Sequence, residues 1–202
     1  MPVPEADGLG GWRAAAGRVR VVAALTGARL LVAEYRRAAD GKAVELAGAA
    51  VHPLAFAGTP FEAVALSGSP DLIHVYAATP DPLGAVEGVA ELDLSGAFDQ
   101  APPVRAIAAG APTTQVLAAT VRPVTGLSAD DPKRDVHGPE VLRVWAALDP
   151  TRCGREEAVT CGLAVLDPAA GGPVPDQADP ARPHLPIFVP GVITSLTAVY
   201  PP

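Results

Sequence analysis

The chain has 202 residues, 49% of them hydrophobic, and a net charge of −7, which allows a folded core and argues against disorder of the whole. Acidic residues are dispersed, and the basic doublets Arg36-Arg37 and Lys133-Arg134 each have acids nearby, so no nucleic-acid role is supported. Nothing reads as a transmembrane helix, and residues 1–7 lack the basic and apolar regions of a signal peptide. Either the protein stays inside the cell or a signal has been removed.

Aromatics make up only 4% of the chain, whereas Pro and Gly supply 23 and 20 residues. That punctuation breaks helices and marks many turns, and the abundant Ala and Val suit closely packed sheets. Residues 1–18 are read as an N-terminal segment and 19–202 as one all-β domain of repeated units. The first unit, about 19–57, carries Ala24-Leu25-Thr26-Gly27-Ala28-Arg29-Leu30-Leu31-Val32: strand, tight Gly turn, strand. Ala43-Val44-Glu45-Leu46 then reads as a third strand. His52 follows beside a proline, where a solvated side chain is expected.

The second unit, about 60–98, repeats the shape. Leu66-Ser67-Gly68-Ser69-Pro70-Asp71-Leu72-Ile73-His74-Val75-Tyr76-Ala77-Ala78-Thr79 is a predicted hairpin, with Gly68 41 residues after Gly27. His74 lies within its second strand and is read as a satisfied sheet residue. Gly88-Val89-Ala90-Glu91-Leu92-Asp93 is the third strand. The short strands are apolar on both faces, as expected when both are packed.

A third unit, about 103–170, opens on Ala109-Gly110-Ala111-Pro112 and continues to Ala118-Ala119-Thr120. Gly110 and Pro112 each lie 42 residues after Gly68 and Pro70. It is interrupted by an insertion, 121–160, whose segment Thr125 to Asp135 is polar and read as a surface loop. Within it Asp130, Asp131, Asp135 and His137 are oxygen- and nitrogen-bearing, but Lys133 and Arg134 lie between them. A solvated loop is the plainer reading, and no metal site is assigned. Val141 to Leu148 resumes as a strand, with Arg143 and Trp145 on one face and Leu142 and Val144 on the other.

Cys153 and Cys161 flank the next turn and are expected to form a disulfide, contributing roughly 2–3 kcal/mol by loop entropy. Two unpaired thiols are the alternative. A disulfide would put the protein in an oxidising compartment, the periplasm or cell surface. Gly162-Leu163-Ala164-Val165-Leu166-Asp167 shares Gly-x-Ala-x-Leu-Asp with 88–93, and Asp93 and Asp167 are expected to cap turns. Pro186 to Thr197 reads as the opening of another unit. His184 stands near prolines, where the solvated reading holds.

A period of about 40–45 residues with four strands per unit is propeller-blade spacing. The run Ala65-Leu66-Ser67-Gly68-Ser69-Pro70-Asp71 through Gly88-Val89-Ala90-Glu91-Leu92-Asp93 resembles the YVTN or NHL-type propeller repeat. It has that repeat's Ser-Pro-Asp turn, lacks the Gly that follows it, and carries Val75-Tyr76 where the family often shows the reverse order. The resemblance implies an incomplete β-propeller of antiparallel four-stranded blades. A β-sandwich is the alternative fold.

No Gly-x-Ser-x-Gly, phosphate-loop, His-Glu-x-x-His or dinucleotide motif occurs. The expected function is therefore a non-catalytic module of an exported bacterial protein, without a cofactor, whose loops bind protein or polysaccharide. Arg143 and Trp145 are the first candidate contacts, as residue types enriched at interfaces. The alternatives are a hydrolase or lyase with a channel site, and a purely architectural segment within a longer or self-associating assembly.

Overall fold

A computed structural model describes residues 14–15, 18–37, 44–70, 73–127, 135–152, 162–175, 187–188 and 193–198. Among them the fold is all-β and antiparallel, with a single 3₁₀ turn at Pro150–Arg152 and no α-helix. Among the described residues no helix is long and apolar enough to cross a membrane.

The first sheet runs in chain order: β1 (Ala14–Ala15), β2 (Arg18–Leu25), β3 (Arg29–Arg37) and β4 (Val44–Pro53). Its central hairpin turns at Thr26-Gly27-Ala28, with Gly27 at φ 77°, a backbone conformation glycine adopts at no steric cost. A small hairpin, β5 (Ala55–Phe56) and β6 (Thr59–Pro60), leads to the second sheet. That sheet is β7 (Ala65–Gly68), β8 (His74–Ala78), β9 (Gly88–Asp93) and β10 (Val104–Ala108), again in sequence order.

The third sheet begins with β11 (Thr113–Val121). A separate hairpin follows, β12 (Val124–Leu127) with β13 (Asp135–His137). The sheet then resumes with β14 (Val141–Leu148), β15 (Gly162–Asp167) and β16 (Gly172–Pro173). A last short strand, β17 (Ile187–Phe188), pairs with the same edge of β15 as β16 does, so the two pieces share the outer position.

The second sheet is packed on both faces, and the period-2 geometry of a strand divides its side chains between two cores. Val75, Ala77, Ala90 and Leu92 meet Leu30 and Val32 of the first sheet, with Leu54, Phe61 and Leu83 filling the margin. Tyr76, Ala78, Val89 and Ile107 meet Val116, Ala118, Val144, Ala146, Ala164 and Leu166 of the third. The alanines on these faces explain the aromatic-poor composition: small side chains let neighbouring sheets approach closely.

Buried polar groups stitch the sheets together. The Thr113 hydroxyl, fully buried, accepts from Thr79 N at 3.0 Å and donates to Gly88 O at 2.9 Å. Ser67 Oγ accepts from Ala118 N at 2.9 Å, between the second and third sheets. Each satisfied donor avoids a desolvation cost of roughly 1–3 kcal/mol.

Three expectations change. Val104–Ala108 belongs to the second sheet, so Gly110 lies in a crossing from one sheet to the next and is not equivalent to the hairpin turn after Gly68. Both sites carry the same local Gly and Pro signals, and only the pairing partner differs. The insertion is narrower than 121–160, because Val141–Leu148 is a central strand. Its margins, 125–127 and 135, are paired as β12 and β13 rather than looped. Finally, Ile187–Phe188 completes the third sheet instead of opening a new unit. Asp130, Asp131, Cys153, Cys161 and His184 lie outside the described residues.

Candidate functional site

The connection from β9 to β10 crosses onto the first sheet and makes a cleft of about 180 Å³. Its floor is Arg20 and Val32 of β2 and β3. The wall runs from Asp93 to Pro103, with Leu94, Phe98, Pro102 and Pro103 apolar and Ser95 and Gln100 polar. The loop is anchored at both ends: Asp93 N donates to Pro103 O at 3.0 Å, and Leu94 N to Ile73 O at 2.7 Å. Ser95 N donates to Asp93 Oδ1 at 2.8 Å, an Asx turn that starts the loop. At the equivalent end of β15, Ala169 N donates to Asp167 Oδ1 at 2.9 Å, so both aspartates cap turns as expected from their shared motif.

Two contacts clamp the loop to the first sheet. His52, buried, donates from Nε2 to the Phe98 carbonyl oxygen at 2.8 Å. The tip of the Phe98 ring comes so close to Gly48 of β4 that any Cβ there would collide with it. The expected solvated His52 is thus corrected. Alternation along β4 turns it toward the second sheet, opposite Leu30, and the loop supplies its partner.

Beneath the cleft sits a charged cluster. Glu34 is 1% exposed, and its two carboxylate oxygens are taken by two guanidiniums. Arg20 donates to Oε2 from Nε at 3.1 Å and from Nη2 at 2.9 Å. Arg36 reaches Oε1 from Nε at 2.9 Å and Nη2 at 2.7 Å. Arg20 Nη1 also donates to the Leu94 carbonyl, tying the cluster to the loop. Burial alone would push the Glu34 carboxyl up, but the hydrogen bonds and charges of Arg36 and Arg20 together hold it below the usual range. An ionised, doubly bonded carboxylate has no free lone pair aimed at the cleft, so Glu34 organises the site and is not poised as an acid or base.

A second pair follows the same design. Arg105 grips Glu91 directly across from it, with bonds of 2.9 and 2.8 Å, and this bidentate contact raises the guanidinium pKa further. Among the described residues no group of three or more His, Cys, Asp or Glu could hold a metal ion.

The sequence-derived candidates lie elsewhere. Arg143 and Trp145 share the face of β14 turned away from the second sheet. Trp145 is flanked by Leu117 and Val165. Arg143 Nη1 pairs with Asp167 at 3.2 Å and also donates to Leu142 O. Neither reaches the cleft. His74 stands in β8 opposite Asp93, and His137 is exposed on β13.

Arg20, Glu34 and His52 were missed, although one signal was present. A hairpin centred on Gly27 pairs residues whose numbers sum to 54, which sets Arg20 opposite Glu34. No family model matches the chain, no curated protein is similar to it, and no solved structure matches it.

Proposed function

We propose that the chain is a non-catalytic, propeller-like binding module, with the 93–103 loop seating one sugar unit or side chain of a polysaccharide or protein partner. The observation that carries this reading is the stack itself. Three sheets consecutive in sequence pack face to face, and the loop leaving the middle one is tied by hydrogen bonds over a small cleft. Such a cleft is smaller than the roughly 300–1,000 Å³ of sites for free drug-sized ligands, so it suits one unit of a larger partner. The Ser-Pro-Asp turn and the paired Gly-x-Ala-x-Leu-Asp strands support the blade-like reading. Export to an oxidising compartment belongs to the proposal through the expected Cys153–Cys161 bond.

The test is ligand-observed NMR with a panel of oligosaccharides and short peptides, on the wild type and on Ser95→Trp, which fills the cleft. We expect a panel member to bind the wild type and to weaken at least about tenfold in the variant. Turnover of a panel member, abolished in Ser95→Trp, would replace this reading with an enzymatic one. Binding that the variant leaves unchanged would move the partner to another surface.

A further inference from the structure

Three arginines share the face of the first sheet that carries the cleft. Arg20 is part of the cleft floor, Arg18 lies two residues back on β2, and Arg36 stands directly opposite Arg18 on β3. Alternation puts the three side chains on one face, with Arg18 about 7 Å along the strand from Arg20. Arg20 is committed: all its guanidinium nitrogens donate to Glu34 or to the Leu94 carbonyl. Arg36 gives Nε and Nη2 to Glu34, which leaves its Nη1 without a partner among the described residues. Arg18 is exposed and makes no ion pair or side-chain hydrogen bond among them. Like charges directly opposite on paired strands repel, so the fold itself gains nothing from Arg18 facing Arg36. Neither Glu45, across from Arg36 on β4, nor Asp99 on the loop forms an ion pair among the described residues. Asp93 alternates onto the face of β9 opposite that of Ala90 and Leu92, which meet the first sheet.

We propose that Arg18 and Arg36 bind the carboxylate of a uronic acid unit whose ring sits in the adjoining cleft. The inference rests on the reading of that cleft as a seat for one unit of a larger partner. A guanidinium presents its donors in a planar fork that matches a carboxylate, and Glu34 already holds Arg36 in place. An anion between the two arginines also removes their repulsion. The cleft wall suits a sugar ring. Leu94, Pro102 and Pro103 offer apolar surface to its C–H face, while Ser95 Oγ and the Gln100 amide, unbonded among the described residues, are free for its hydroxyls. Glu45, Asp99 and the net charge of −7 oppose a dense polyanion, so the ligand carries one acidic unit among neutral ones.

The experiment is an NMR titration of the full chain with two pairs of disaccharides, cellobiouronate with cellobiose and galacturonosyl-galactose with galactobiose. Each pair differs by one carboxylate in place of a CH2OH group. At about 20 mM salt at least one acid is expected to bind about fivefold more tightly than its neutral partner, the worth of one charge pair at contact in water. The preference should fade at about 0.5 M salt. Arg18→Ala, on an exposed side chain, should abolish the preference, while Arg29→Ala, exposed at the opposite end of β3, should leave it intact. Equal binding of acid and neutral sugars, lost in Ser95→Trp, overturns the inference and leaves the cleft reading standing. Binding that Ser95→Trp does not weaken overturns both. An acid preference unaltered in Arg18→Ala overturns the assignment to these arginines, and so does the absence of binding by all four sugars. Tighter binding of triglutamate than of either uronate makes the partner an acidic peptide and overturns the sugar.

Discussion

Glu34→Gln is expected to destabilise the fold by roughly 3–5 kcal/mol, the range for breaking a buried ion pair from one side. The substitution keeps the shape of the side chain but leaves Arg20, 20% exposed, without its anionic partner and presents an amide donor to two guanidiniums. Against a typical total of about 5–15 kcal/mol, that loss is large. Arg36→Ala is the contrast: its side chain is 53% exposed, and its removal should cost no more than about 1 kcal/mol. Urea unfolding of both variants at neutral pH measures the difference. A Glu34→Gln cost below that of Arg36→Ala would mean the cluster behaves as an exposed pair.

The same carboxylate sets a pH dependence. Its pKa is lowered in the fold relative to the ordinary 4.5, so the unfolded chain binds more protons between the folded value and 4.5. Stability from Glu34 is therefore complete above pH 4.5 and lost as the pH falls through the folded value. Glu34→Gln should flatten that part of the acid unfolding profile.

Gly88→Ala is expected to cost about 3 kcal/mol, at the upper end for overpacking, because the atoms in the way are backbone. An added Cβ would collide with the carbonyl group of Ile107 and approach Ala109 N to 2.8 Å. Neither can rotate aside without shifting β10 against β9. Gly96→Ala makes the control: its Cβ meets the movable Gln100 Oε1 at 3.3 Å, so its effect should stay within about 0.5 kcal/mol. Thermal or urea unfolding of the two variants separates them, and equal effects would contradict the close approach at Gly88.

These residues also show what was legible in the sequence. Period-2 apolar strands and Gly turns carried the all-β architecture, because alternation and turn chemistry are local. The Gly-x-Ala-x-Leu-Asp pair was legible for the same reason: β9 and β15 are each third in chain order in their main sheets, and each ends on a capping aspartate. Even so, the two glycines answer different needs. Gly88 allows close backbone approach, whereas Gly162 sits at φ 133°. The Gly68–Gly110 spacing misled because a hairpin turn and a crossing between sheets share the same local signals. The cleft was not legible, since it depends on a loop after β9 finding Gly48 and His52 some fifty residues earlier. Such contacts are decided by packing between sheets, on which strand periodicity is silent.

Residues 65–108 form the middle of three stacked sheets, an arrangement that peptide-resolved hydrogen–deuterium exchange can check. Amides of β8 and β9, covered on both faces and paired on both edges, should exchange most slowly, ahead of β2 and β15 in the flanking sheets. If 74–93 instead exchanges as fast as those outer strands, the middle sheet is not enclosed and the stacked arrangement is wrong.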